Sequence, residues 1–196
     1  MNVSFPNRRM RRLRQTPTLR RLVAETRVSV DDLIAPVFIR EDIDEPQPIE
    51  SLPGIMQHTQ ESIRAEVKEL VGLGIPGVVL FGLPGRKDPT GSEAWNPDGV
   101  IQVALKNLRD DHGDSIVAIA DLCVDEYTDH GHCGLVEKGD VLNDDSLELL
   151  AKEALVHAKA GAHMVAPSDM MDGRIGYIRE VLDEAGFEDI PIMAYS

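Results

Sequence analysis

The stretch Ser115–Gly134, SIVAIADLCVDEYTDHGHCG, runs from a short apolar strand straight into a loop holding both cysteines of the chain, two histidines and several carboxylates. Near-continuous apolarity over SIVAIADL is the pattern of a strand covered on both faces, as in a parallel sheet flanked by helices. Four further runs share it: LIAPVFI (33–39), GVVLFGL (77–83), HMVAPS (163–168) and IPIMAYS (190–196). Helix-period segments lie between them, with Ile63, Val67, Leu70 and Val71 on one face, then Leu147, Leu150, Ala154, Leu155 and Ala158, then Ile175, Ile178, Val181 and Leu182. Asp145 with Glu148 reads as a capping pair, and Gly161 and Gly186 stand where helix-ending glycines belong. The alternation predicts repeated βα units. No GxGxxG or GxxxxGK(S/T) loop is present, which weakens dinucleotide and nucleoside-triphosphate readings and leaves a (β/α) barrel as the expected architecture.

At 196 residues and 42% apolar, the chain can bury the core of one domain. It contains no run of eighteen uncharged apolar residues, and no apolar signal core follows the arginine-rich start. A cytoplasmic protein with no membrane partner is therefore expected. Two cysteines do not make a disulfide framework, and in the company of His and Asp they read as reduced thiols available to a metal.

The net charge of −14 is unevenly spread: residues 1–27 carry eight arginines and one glutamate, and the remainder carries 12 basic and 33 acidic side chains, a balance of −21. A basic arm such as RRMRRLR (8–14) has three readings: contact with the acidic surface of a neighbouring subunit, a merely solvated terminus, or nucleic-acid binding or targeting. Without aromatic residues among the arginines no nucleic acid is expected, and subunit contact is the favoured reading.

Polar residues cluster just after the strands: Gly82-Leu83-Pro84, then Asp121 and Cys123, then Ser168 and Asp169, then Tyr195 and Ser196. That edge of a parallel sheet is where loops can carry a ligand site while the strands hold them in place. Cys123, Asp125 and Cys133 lack the CxxC spacing of a structural zinc ribbon, yet sit in one glycine-containing loop that can fold back on itself. Two thiolates favour Zn2+, and the carboxylate also admits a harder ion such as Mg2+. Three protein ligands leave a position open, the catalytic rather than the structural arrangement. His130 and His132 are the competing ligands and are expected instead as hydrogen-bond partners.

The segments IADLCVDEYTDHGHCG (119–134), APSDMMDGRIGYIRE (166–180), RRLRQTPTLRRLVAET (11–26) and LIAPVFI with LPGI (52–55) together resemble the porphobilinogen synthase, or δ-aminolevulinic acid dehydratase, family. The resemblance implies a (β/α)8 TIM-type barrel, of which residues 31–196 would supply about five βα units. Residues 1–30 would form an arm for subunit contacts in a homo-oligomer, an octamer in that family. It implies condensation of two 5-aminolevulinate molecules into porphobilinogen with loss of water, a step of haem and other tetrapyrrole biosynthesis. Cys123, Asp125 and Cys133 match the positions of three zinc-binding cysteines, the middle one being Asp here, while other members use Mg2+. Asp121, Ser168 and Asp169 match positions at or beside the active site, in supporting catalytic roles.

The family's two Schiff-base lysines fall past Ser196, the first of them two residues after the AYS motif, and Lys138, Lys152 and Lys159 do not match them. The stretch is accordingly expected to be a fragment, inactive alone, with its first and fifth strands as open edges. A non-catalytic metal-binding or assembly module is the alternative.

Overall fold

The computed structural model describes residues 4–195; the first three residues of the arm and Ser196, the last residue of the expected fifth strand, lie outside them. The strands are β1 (Ile34–Arg40), β2 (Gln47–Pro48), β3 (Met56–His58), β4 (Gly77–Leu83), β5 (Val117–Leu122), β6 (Val136–Glu137), β7 (Asp140–Val141) and β8 (Met164–Pro167). The helices are α1 (Pro17–Leu22), α2 (Gln60–Gly72), α3 (Val100–His112), α4 (Asn143–Ala160) and α5 (Arg174–Glu184). One six-stranded sheet has the order β2-β3-β1-β4-β5-β8, and β6 and β7 form a separate hairpin. The run β1-β4-β5-β8 is parallel and follows chain order. Helices α2 to α5 pack against one another in the same sequence. An unreversed strand order backed by one helix layer is the wall of a barrel rather than a doubly wound sheet, and here the wall stays open.

Alternation along the strands separates two faces. Val78, Leu80, Ala118 and Ala120 meet Ile63, Val67, Leu105 and Leu108 on the helix side. Further along, Leu122 and Val165 meet Leu150, Ala154, Ile178 and Leu182. On the other face Val79, Ile119 and Ala166 pack with Phe81, Met164 and Met193, and Phe38 stacks on Phe81 at 5.1 Å. Asp121, two residues beyond Ile119, falls on this second face at the C-terminal end of β5.

Gly82 is where β4 allows α3 and Tyr127 to approach. A Cβ there would stand 2.6 Å from Ile101 Cγ1 and from Tyr127 Oη, and 2.8 Å from Val100 Cγ1. Gly82→Ala is expected to cost about 1–3 kcal/mol through overpacking. The cost is read as a lower urea midpoint at constant m-value, and an unchanged midpoint would mean that the start of α3 yields.

Several expectations are corrected. Residues 190–195 form no strand; they contribute a bridge between Val165 and Ile192, with hydrogen bonds from Val165 N to Pro191 O and from Met193 N to Val165 O. Pro191 has no N–H to offer a ladder. β1 is an open edge only in part: β3 pairs parallel to it at Phe38 and Ile39, and β2 pairs antiparallel to β3, while the stretch before Phe38 has no strand partner on that side among the described residues. Helix α3 adds to the three expected helical faces a further one, with Val100, Ile101, Ala104, Leu105 and Leu108 as its buried stripe. Asp145 does not cap α4: the helix starts at Asn143 with Leu142 as N-cap, leaving Asp145 in the first turn, where its charge favours the helix dipole. Gly161 and Gly186 do end helices α4 and α5, at φ +98° and +81°. The N-terminal segment, expected as an arm, holds α1, begun by Pro17 and capped by Thr16 Oγ1, which accepts Leu19 N–H at 3.1 Å. Phe5, Met10, Leu13, Leu22, Val23 and Val28 on it are all exposed.

Candidate metal centre and its acidic surround

Beyond Leu122 the chain leaves the sheet, and the buried side chains of Val124 and Tyr127 anchor the loop to the core. The fold-back brings Cys123 Sγ, a carboxylate oxygen of Asp125 and Cys133 Sγ within 4.8 Å of one another. Ligand atoms around a tetrahedral zinc ion stand roughly 3.6–3.8 Å apart, so small side-chain adjustments suffice. Gly134 lets the loop close on α4: a Cβ there would meet Ser146 Oγ and Met171 Cε, and Ser146 Oγ accepts Leu135 N–H at 2.9 Å. His130 and His132 stand outside the donor set. His130 Nδ1 accepts His132 N–H at 3.1 Å, so Nε2 carries the hydrogen and donates to Pro89 O at 3.2 Å.

Asp121, Ser168 and Tyr195 converge from three chain segments. Ser168 Oγ donates to Asp121 Oδ2 at 3.0 Å, and Tyr195 Oη donates to Oδ1 at 3.1 Å. Burial pushes the Asp121 carboxyl up to about 7, against the pull of the two hydroxyls and aided by the charges of Asp125 and Asp169. Asp169 is more constrained than the sequence suggests. Its Oδ1 accepts Met171 N–H at 2.7 Å, and its Oδ2 lies 3.4 Å from Arg174 Nε. Burial nonetheless raises its pKa.

Acidic groups dominate the surroundings. Burial, then the hydrogen bond with Asp125, raises the Glu126 carboxyl, whereas Asp125 is held low because contacts from Glu126 and Cys123 outweigh its burial. Glu153 on α4 is wholly buried without a hydrogen-bond partner on either oxygen, and burial followed by the charge of Asp121 holds it far above the carboxylate range. Burial likewise raises both thiols. A divalent cation would pair with the charge of Asp125 and displace the thiol protons, so the donor set fits a metal ion.

The sequence offers Cys123, Asp125, Cys133, Asp121, Ser168 and Asp169 as candidates; Ser168 and Asp169 follow β8, Asp121 stands within β5 rather than after it, and Glu126 and Glu153 carry no signal in the motifs. Glu153 could have been found, since it shares a helical face with the buried Ser146, Leu149, Leu150 and His157. Trp95, in the segment before α3, packs half-buried against the main core with Lys152 Nζ 6.0 Å from its ring centroid.

The family described as delta-aminolevulinic acid dehydratase matches residues 7–196. The delta-aminolevulinic acid dehydratase of Streptomyces coelicolor is 50% identical, covering 98% of this chain and 59% of its own length. That of Bacillus subtilis is 46% identical, covering 100% of this chain and 60% of its own length. The chain thus spans about three-fifths of these curated relatives. The crystal structure of delta-aminolevulinic acid dehydratase (porphobilinogen synthase) from Toxoplasma gondii ME49, in complex with the reaction product porphobilinogen, superposes with a TM-score of 0.90 at 39% identity, covering 96% of this chain and 54% of that one.

Proposed function

This chain belongs to the delta-aminolevulinic acid dehydratase family, and from that premise we propose that it provides the metal centre and the proton-handling edge for condensing two 5-aminolevulinate molecules into porphobilinogen with loss of water. The observation that carries the reading is the meeting of two functional groups of residues at one strand edge. Cys123, Asp125 and Cys133 converge beside Asp121, itself held by Ser168 and Tyr195.

Cys123, Asp125 and Cys133 would hold the ion, Zn2+ in preference to Mg2+ because two of the three donors are thiols. When bound, it supplies Lewis-acid polarisation of a substrate carbonyl. Asp121, with a pKa near 7, can take up or release a proton at Oδ1 or Oδ2 at neutral pH, which suits general acid–base work on an amine or hydroxyl. Ser168 and Tyr195 fix that carboxyl in one orientation. Asp169 braces the turn after β8 through Met171 N and, through its other oxygen, Arg174. Residues 1–30 would serve as an arm on a neighbouring copy, its arginines meeting the acidic body in a homo-oligomer. No described helix is long and apolar enough to cross a membrane, and a cytoplasmic enzyme is proposed.

The test is a chimera in which this chain replaces the matching residues of the Streptomyces coelicolor relative. Porphobilinogen formation from 5-aminolevulinate is expected, with Asp121→Asn lowering kcat by about 100-fold or more. A folded, metal-loaded chimera that forms no product would refute the reading.

A further inference from the structure

The donor trio is drawn from residues 123–133, a stretch without a strand or helix of its own. Holding three donor atoms of such a loop together carries an ordering cost that other contacts must offset. Those contacts come from the loop after β4. Asp88 forms an isolated parallel bridge with Thr128. Its N–H donates to Tyr127 O at 3.3 Å, and its carbonyl accepts Asp129 N–H at 3.2 Å.

The Asp88 side chain locks its own loop in the matching shape. Its Oδ1 accepts Thr90 N–H at 2.9 Å, Thr90 Oγ1 at 2.8 Å and Ser92 N–H at 3.2 Å, and its Oδ2 accepts the Ser92 hydroxyl. Gly91, at φ +70°, brings the backbone so close that a Cβ would lie 3.3 Å from atoms of Thr128, Tyr127 and Val124. His130 closes the other end. Its two ring nitrogens join His132 N–H to Pro89 O, and Thr128 Oγ1 donates to His132 O at 3.0 Å, so the residue before Cys133 is tethered on both sides.

We infer that Asp88 and His130 are positioning residues for the metal-binding loop, forming a splint between the loop after β4 and residues 124–132 that holds Asp125 and Cys133 in reach of Cys123. Neither residue belongs to the donor set, and each acts through the backbone of its neighbours. The inference rests on the reading of Cys123, Asp125 and Cys133 as a metal centre, which it deepens.

The experiment titrates the purified chain with Zn2+ against a chromophoric chelator, and records the ligand-field spectrum of the Co2+ form. Asp88→Ala is expected to weaken Zn2+ binding by about 10- to 100-fold, the range seen for groups that orient ligands, and to alter the Co2+ bands. Asp88→Asn, which keeps an acceptor for Thr90 and Ser92, is expected to restore part of the affinity. His130→Gln, a change on the exposed side of the loop, retains a donor for Pro89 O but moves its acceptor from the Nδ1 position that meets His132 N–H to the end of a flexible side chain, and is expected to weaken binding less.

A role in fold stability alone would lower the melting temperature of the metal-free protein and leave the Zn2+ affinity and Co2+ spectrum as in the parent. That result in both Asp88→Ala and His130→Gln overturns the splint. If the parent shows no Zn2+ binding that depends on Cys123, the metal-centre reading fails and the splint with it. Tight parental binding with unaltered variants removes the splint alone.

Discussion

Cys133→Ser is expected to weaken Zn2+ binding by more than about 100-fold, beyond the loss that outer partners of a metal site produce when removed. Two of the three converging donors are thiols, and a hydroxyl does not ionise to replace a thiolate at neutral pH. The same substitution should abolish discrimination against a harder ion. The parent is expected to hold Zn2+ in excess Mg2+, whereas a site reduced to one thiol and one carboxylate loses that preference. Burial raises both thiols, so the ion must displace their protons. Zn2+ affinity should therefore climb with pH, by about tenfold per unit for each proton displaced. Competition titrations at several pH values, with proton release measured in parallel, decide the matter. A Cys133→Ser protein that binds Zn2+ like the parent would remove Cys133 from the ligands, and parental binding that Mg2+ displaces readily would overturn the preference for zinc.

Glu153→Leu is expected to stabilise the protein, and by an amount that grows with pH. Glu153 is fully buried, neither of its oxygens has a partner, and Tyr127, Asp121, Glu126, Asp125 and Asp169 surround it electrostatically. Burial without a partner costs about 1–3 kcal/mol even for the neutral acid. Its folded-state pKa lies well above the ordinary value of 4.5, so the native protein binds a proton that the unfolded chain releases. The penalty is smallest below that ordinary value, where both states carry the proton, and grows as pH rises toward the folded-state pKa, by about 1.4 kcal/mol per unit. Between about pH 5 and pH 8 the gap between parent and Glu153→Leu should widen steadily for as long as the buried acid keeps its proton. Urea unfolding at both pH values measures it. Parallel stability curves would show that Glu153 ionises freely and is in contact with solvent.

Much of the architecture was legible because it depends on short-range pattern. β4 occupies the seven residues of its apolar run, and β1, β5 and β8 depart from theirs only at the ends. Helix α3 escaped notice behind a loop rich in Pro and Gly, and β2 and β3 are too short for an alternation to register. The capping expectation at Asp145 failed because local side-chain chemistry competes with the position at which β7 hands the chain to α4. The open edge expected at β1 is closed at its C-terminal end for a different reason: parallel pairing of β3 with Phe38 and Ile39 joins residues about twenty apart, which no local pattern reports.

Local pattern carries the order of the βα units and the metal-ligand candidates, since apolar periodicity records which side of each element is buried and since all three donors lie within eleven residues of one another. The chemical state of the site is set by long-range packing. Asp121 meets Ser168 and Tyr195 across 47 and 74 positions, Glu153 is enclosed by a helix layer, and Asp88 reaches a loop nearly forty residues away. Burial, and with it the proton affinity of a carboxyl, depends on how much water the packed elements exclude, a property of the assembled fold that no single segment of chain contains.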